Sequence, residues 1–370
     1  MKIVFVSSCK LPSDTANSIQ VMKVCQAFVQ LGHKVTLLVP GPRSEAADLF
    51  GHYGLHTLFD IEWLPARSRR LFPWMANRRA RALGADFLYA WPIQSAVLAP
   101  LMGIPSMLEI HDFPAGLFGP LWFRLFVALP GKKRLLPITD ALRRVLEQKY
   151  GSMPEGKAII SPDGVDLERY ALLPDPGLAR RELGLPAAPS VLCTGHLYAG
   201  RGADIFLALA KKFTQASFVW VGGRPKDVEY WRAQAAQQLL TNVTFTGFVT
   251  NDRIPLYQAA ADVLLMPYGR SISGSSGGDI ANIYSPMKMF EYLASGRAIL
   301  TADLPVLHEV LDETTAVFAA PGDVESWESA LGGLLADEKR RRALGQRACS
   351  VAQRYTWVER ARRVLEGFCD

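Results

Sequence analysis

Short apolar runs alternate with amphipathic helical stretches from one end of this chain to the other, and that alternation restricts the fold more than any other property. A strand, a helix and a second strand close compactly as a parallel pair with the helix on one face. A chain built this way throughout is therefore α/β, with helices wrapping parallel sheets. In the first half the strands read as Lys2–Ser7, Lys34–Val39, Thr57–Leu64, Phe87–Ala90, Ser106–Ile110, Arg134–Ile138 and Ala158–Ile160. A helix over Ser18–Leu31 joins the first two; Ile19, Val21, Met22, Cys25, Phe28 and Val29 give it an apolar stripe, and Gly32 ends it. Past the proline-marked stretch Leu172–Pro189 a second series begins, with strands at Ser190–Thr194, Ser217–Val221, Val243–Thr246, Val263–Met266 and Ala298–Thr301.

A chain of 370 residues exceeds one ordinary core, so the two series are expected to form two doubly wound, Rossmann-like domains, residues 1–165 and 166–354. Such domains in sequence put a ligand cleft between them, at the carboxyl ends of their sheets. The basic helices Asp337–Arg354 and Thr356–Phe368 close the chain, and the segment 355–370 is expected to pack back on the first domain.

Charge is unevenly placed: residues 1–170 carry 20 Lys+Arg against 14 Asp+Glu, and the remainder 21 against 21. The net +6 belongs to the first half. Arg67–Arg81 holds six arginines and no acid around Leu71-Phe72-Pro73-Trp74-Met75, and Phe118–Arg134 interleaves Trp122, Phe123, Arg124, Phe126, Lys132 and Lys133. Bases among aromatics suit an anionic membrane surface; the alternative is a solvated basic surface above core aromatics. No nucleic-acid module accompanies the charge, so nucleic acid is not expected as a partner. Cys9, Cys25, Cys193, Cys349 and Cys369 are odd in number and widely spaced, which points to a reducing compartment and away from zinc. No apolar run reaches the ~18 residues of a membrane span. Ile3–Val6 is too short for an export core. The expected location is the cytoplasm, with a peripheral place on the inner face of the membrane open to the basic half.

The chemistry gathers in the second half. In Tyr284–Thr301, Ser285 is a suitable N-cap and Pro286 a suitable first helical residue. The free N–H groups that follow, through Met287, would face an anion such as phosphate. Lys288 and Glu291 share a helix face, where the cation can add charge to the anion site and the carboxylate can accept from vicinal ribose hydroxyls. An i,i+3 ion pair on a solvated helix is the competing reading. Thr194–Gly202 is a glycine-rich strand-to-helix turn whose Gly195 and Gly202 let backbone approach an anion, with Arg201 as a fork of donors and His196 within reach of phosphate. His111 and Asp112 follow a strand and would face a cleft. Ser271–Asp279 reads either as a loop closing over a sugar, with Asp279 or Asn282 on its hydroxyls, or as plain surface. The histidines show no metal-ligand spacing, and neither metal nor cofactor is expected.

With these pieces in order, the chain resembles the retaining glycosyltransferases of family four (group 1) over nearly its whole length. Gly195-His-Leu-Tyr-Ala-Gly-Arg-Gly is similar to that family's Gly-Arg-Leu-x-x-x-Lys-Gly turn, and Ser285–Gly296 to its nucleotide-sugar helix. Ser161–Tyr170 resembles the hinge segment, Gly247-Phe248-Val249 the turn that holds the base, Asn17–Leu38 the acceptor-side loop and helix, and His111-Asp112 the cleft histidine. The resemblance implies the GT-B fold, with two Rossmann-like domains facing a central cleft, the first on the acceptor side. It implies a UDP- or GDP-linked sugar donor, a glycan or lipid-linked acceptor and a place in polysaccharide or glycoconjugate synthesis. By position, Arg201 and Lys288 would bind the diphosphate with backbone near Ser285–Met287, Glu291 the ribose, Phe248 and Val249 the base, His111 the transferred sugar and Asn17 the acceptor side. Two departures stand out: the first acid of the family's Glu-x7-Glu motif falls at Ile283, and His196 replaces the arginine of the glycine turn. A nucleotide-sugar 2-epimerase on the same fold and a non-catalytic nucleotide-sugar-binding subunit are the alternatives.

Overall fold

The computed structural model describes residues 1–43, 48–65, 70–114, 116–154, 156–273 and 278–368. Arg67 and Arg69 of the basic stretch and residues 274–277 of the loop Ser271–Asp279 lie outside them. The chain divides into two compact units, Met1–Asp163 with Trp357–Asp370, and Gly164–Thr356.

The first unit is built on a parallel six-stranded sheet of β1 (Lys2–Val6), β2 (Lys34–Pro40), β3 (Asp60–Leu64), β4 (Phe87–Ala90), β5 (Ser106–Ile110) and β6 (Lys133–Pro137), in the order β3-β2-β1-β4-β5-β6. Ile3 pairs with Val35 on one side and Phe87 on the other, and β4, β5 and β6 are buried along their whole length. That is why they read as unbroken apolar runs: parallel strands are covered on both faces. Helix Ala16–Gln30 packs against the last helix, Trp357–Leu365.

The second unit repeats the plan with β7 (Ser190–Thr194), β8 (Ser217–Val221), β9 (Val243–Gly247), β10 (Val263–Met266), β11 (Ala298–Ala302) and β12 (Ala316–Ala319), in the order β12-β11-β10-β7-β8-β9. In both sheets the first and fourth strands of the unit are neighbours, and strand order reverses between them. This is the doubly wound topology, whose switch point is the usual place for a ligand. The fold is α/β, two helix-flanked parallel sheets, as the alternation of runs requires.

Two expectations about strands are corrected, and one strand is added. Ala158–Ile160 forms only an isolated bridge, Ala158 to Leu135. The backbone does follow β6, with Ile159 N–H donating to Leu135 O at 2.9 Å and Ser161 N–H to Pro137 O at 2.8 Å. Pro137, however, has no N–H to donate back to this segment, and the ladder breaks there. The strand expected at Thr57–Leu64 begins only at Asp60, and edge strand β12 was not anticipated from its four residues, too short a run to show a period. Among the described residues no helix is long and apolar enough to cross a membrane.

Candidate functional site

β7 and β10 are the pair at which the second sheet reverses, so the loops leaving their carboxyl ends flank the ligand crevice of such a sheet. The loop after β7 runs from Gly195 to helix Ala203–Lys212, and the loop after β10 begins at Pro267. They come together at Gly202. Its φ of +79° is left-handed, and a Cβ there would sit 1.7 Å from Pro267 O, so no other residue fits without moving one loop.

Above the same strand ends lies the helix Met287–Ser295, stopped by Gly296 in the left-handed conformation. It starts one residue later than the sequence suggests. Pro286, extended at ψ 122°, occupies the cap position, and buried Ser285 precedes it. The ring of a proline fixes φ but leaves ψ free, so Pro286 serves as the cap itself. No carbonyl inside the helix is available to the N–H groups of Met287 and Lys288. Two side chains dock the helix on the sheet. Thr194 donates to Tyr292 Oη from its N–H at 2.8 Å and its hydroxyl at 3.2 Å, and Tyr292 donates to Leu265 O at 3.4 Å. One turn earlier Lys288 Nζ donates to Thr194 O at 2.7 Å, with Cys193 Sγ at 3.5 Å.

Arg201 reaches the same place from the loop. It donates to Tyr284 Oη at 2.7 Å, and its guanidinium lies 4.7 Å from the Tyr284 ring centre and 5.5 Å from that of Tyr268. Lys288 Nζ is 5.1 Å from the centre of the same buried Tyr268 ring. Two cations therefore share one aromatic ring beside a helix N-terminus, and their hydrogen bonds go to a carbonyl, a thiol and a phenol. Among the described residues neither is paired with a carboxylate. Partly buried charge without a counterion is costly, and an anion bound here would supply one.

Glu291, on the next turn, accepts from Gln258 Nε2 at 3.1 Å; Gln258 is fully buried and accepts from Tyr170 Oη at 2.9 Å. The carboxylate is thus aimed by a side-chain relay. Ile283, at the place of the family's first acid, is 3% exposed, where a carboxylate would be desolvated. Asp279 Oδ1 accepts from the N–H groups of Ile272 and Ala281, each at 3.0 Å, which holds its carboxyl below the usual range and pins the loop ends; Asn282 is exposed. His196 stacks on Tyr198, ring centres 5.0 Å apart, with Arg224 over the far ring at 5.1 Å. After β9, Phe248 is 54% exposed and Val249 half-buried.

His111 and Asn17 belong to the first unit. Asn17 is exposed in the first turn of Ala16–Gln30. His111, just past β5, packs against Trp91 with ring planes tilted by 45° and centres 4.5 Å apart, and its Nε2 lies 2.6 Å from Glu109 Oε1. Glu109 is fully buried, which by itself would raise its carboxyl, but Arg360, His111 and Tyr89 overcome this and hold it at about 2. Glu109, Arg360, Gln258, Tyr268 and Tyr284 were not singled out from sequence. The one available signal was an acid inside an otherwise apolar strand, Ser-Met-Leu-Glu-Ile.

The basic-aromatic stretch Phe118–Arg134 is corrected in part. Phe123 and Phe126 are core residues, Lys133 caps a helix end by donating to the carbonyls of Phe126, Val127 and Leu129, and Arg134 donates to Val364 O at 2.7 Å and Glu366 O at 2.8 Å. Leu117 (87% exposed), Phe118 and Leu121 remain on the surface with Arg124 and Lys132, as do Leu71 and Trp74 with Arg78 4.8 Å over the indole.

Comparison with known proteins bears on this geometry. Residues 188–337 match the family model described as glycosyl transferases group 1, and residues 18–169 that of glycosyltransferase family 4. The GDP-mannose-dependent alpha-(1-6)-phosphatidylinositol monomannoside mannosyltransferase of Mycolicibacterium smegmatis is 25% identical over 92% of each chain. The D-inositol 3-phosphate glycosyltransferase of Nocardia farcinica is 29% identical over 64% of this chain and 52% of its own length. Among solved structures, HepE of Anabaena in complex with UDP and glucose superposes with a TM-score of 0.76 at 18% identity, covering 99% of this chain and 98% of that one. WaaG, a glycosyltransferase involved in lipopolysaccharide biosynthesis, does so at 0.69 and 18%, covering 99% and 100%. At these identities the structures establish the shared GT-B fold.

Proposed function

Because the chain belongs to the family four, group 1 glycosyltransferases, we infer that it moves a hexose-type sugar from a UDP- or GDP-linked donor to a hydroxyl of a glycan or lipid-linked acceptor, with retention at the anomeric carbon, in cell-surface polysaccharide or glycoconjugate synthesis. The observation that carries this reading is the pair Arg201 and Lys288 on the Tyr268 ring, without a carboxylate partner among the described residues, at the start of helix Met287–Ser295. A diphosphate supplies the missing charge. As the bond from the anomeric carbon to the phosphate oxygen breaks, negative charge grows on that oxygen, and fixed donors placed there stabilise it most in the transition state. The acceptor oxygen forms the new bond on the same face, and its proton passes to the departing phosphate. Glu291, aimed by Gln258, holds the ribose in this scheme. Phe248 and Val249 meet the base, and His111 meets the sugar. Turnover is expected to persist in a chelator.

The names of the relatives support both nucleotide families: one uses GDP-mannose, and one structural neighbour was captured with UDP and glucose. Thermal stabilisation across UDP-, GDP- and ADP-sugars selects between them, since a ligand at ~100 times its dissociation constant adds about 2.7 kcal/mol. Glu291→Ala then tests the assignment; near-normal turnover refutes it. Donor conversion without any acceptor would instead identify a 2-epimerase, and binding without turnover under every acceptor a non-catalytic subunit.

A second reading concerns where the acceptor is met. Helix Gly119–Ala128 carries no acid, and exposed Leu117, Phe118 and Leu121 beside Arg124 suit an anionic membrane surface. Failure to sediment with anionic vesicles at low salt removes it.

A further inference from the structure

Glu109 is a heavily constrained charged group of the first unit. It sits in β5 with a fully buried side chain, and four donors converge on it. Gln20 Nε2 and His111 Nε2 reach Oε1, each at 2.6 Å; Tyr89 Oη and an Arg360 guanidinium nitrogen, the latter at 2.9 Å, reach Oε2. That set saturates the lone pairs of a carboxylate. Arg360 is held in turn by Pro162 O at 2.8 Å and Ser161 O at 3.3 Å, and its side chain is 3% exposed. A buried ion pair so fully bonded is poor value for stability alone, since apolar residues of like volume often do as well. Of these four donors His111 is the one that reaches toward solvent, 25% exposed and tilted against Trp91.

A carboxylate accepts and does not donate, so the imidazole nitrogen that faces it must carry hydrogen. We propose that Glu109 is a positioning residue, which fixes neutral His111 as the Nε2–H tautomer and so leaves Nδ1 as the ring's hydrogen-bond acceptor for a substrate hydroxyl. Arg360 keeps Glu109 ionised and therefore unable to donate; Gln20 and Tyr89 keep its plane fixed. The role of His111 toward the sugar rests on the transferase reading above, whereas the tautomer does not depend on it.

The test uses the full chain labelled with [15N]histidine, near pH 8, in a long-range proton–nitrogen correlation, with His111→Asn to assign the ring. The wild type is expected to show a protonated Nε2 and an unprotonated Nδ1. Glu109→Gln places an amide opposite the ring that can donate as well as accept. It should mix or invert the tautomers and lower kcat ~10²-fold or more with the donor KM little changed, as misdirecting one donor–acceptor contact in a transition state does. Glu109→Asp, which keeps the carboxylate, should retain the tautomer and recover part of kcat, and it serves as the test if the glutamine variant does not fold. An Nδ1–H tautomer in the wild type overturns the proposal, as does a Glu109→Gln protein that changes tautomer with kcat intact. A wild type without transferase activity refutes the transferase reading, and the nitrogen spectrum alone then decides on Glu109.

Discussion

Replacing Arg360 with methionine removes the charge facing Glu109 and keeps most of the volume. In the wild type the carboxyl is held at about 2 against an ordinary 4.5. A folded value below the unfolded one contributes stability that is present above about pH 4.5 and lost as pH falls from there toward 2. The interval corresponds to about 3 kcal/mol. Without Arg360, burial loses the largest charge that opposes it, and the carboxyl should rise. Past its ordinary value the sign inverts: the ionised form becomes a cost at neutral pH that protonation relieves. Adding the lost bonds to Ser161 O and Pro162 O, the variant should be less stable by roughly 3–5 kcal/mol near pH 8. That corresponds to a fall in Tm on the order of 10 °C. Calorimetry of both proteins near pH 8 and near pH 5.5 reads out the carboxyl together with the imidazole it faces, because pH effects elsewhere are shared. The deficit should shrink by at least ~1 kcal/mol at the lower pH. An equal deficit at both pH values would mean that Arg360 matters only through packing and carbonyl bonds, and would refute the account of Glu109.

Arg201→Ala should lower kcat/KM ~10²–10³-fold, and Arg201→Lys should recover little, because an ammonium cannot reproduce a fork held by Tyr284 and the ring of Tyr268. Gly202→Ala forces a Cβ against Pro267 O at a left-handed φ, so a loss of roughly 2–4 kcal/mol and weakened donor binding are expected; an unchanged melting temperature contradicts the close approach. Gln258→Met frees the Glu291 carboxylate from its relay, and steady-state kinetics should show a raised donor KM with kcat nearly preserved.

What could be read from sequence was whatever repeats locally. Strands β7, β8, β10 and β11 are apolar runs because both faces are covered, and the helix at Met287 announces itself through Ser285, Pro286 and Gly296. Even there the cap slipped by one residue, because proline accepts either position. Contacts between distant residues left no such trace. The sequence places Lys288 toward an anion, but no pattern tells that its ammonium also lies on Thr194 O, and nothing near Arg201 in sequence points to Tyr268 or Tyr284. Glu109 and Arg360 are 251 positions apart by number, and an acid inside a buried strand does not name its partner. Lys133 and Arg134 misled for the opposite reason: charge suggests solvent, while backbone carbonyls consume it inside.

The placement of Arg360 also fixes an order of events during synthesis. The first sheet and Glu109 leave the ribosome early, but the guanidinium that neutralises this carboxylate belongs to a helix made only after Gly164–Thr356, about 190 residues later. At translation rates of ~5–20 residues per second that is a wait of roughly 10–40 s. Throughout that interval the nascent first unit lacks the helix that covers Ala16–Gln30, and its central acid lacks its guanidinium partner. The second unit, continuous in sequence, is complete before the first can be. During translation the second unit can therefore be completed before the first, and a first unit expressed as residues 1–163 alone should lack the contacts of the last helix.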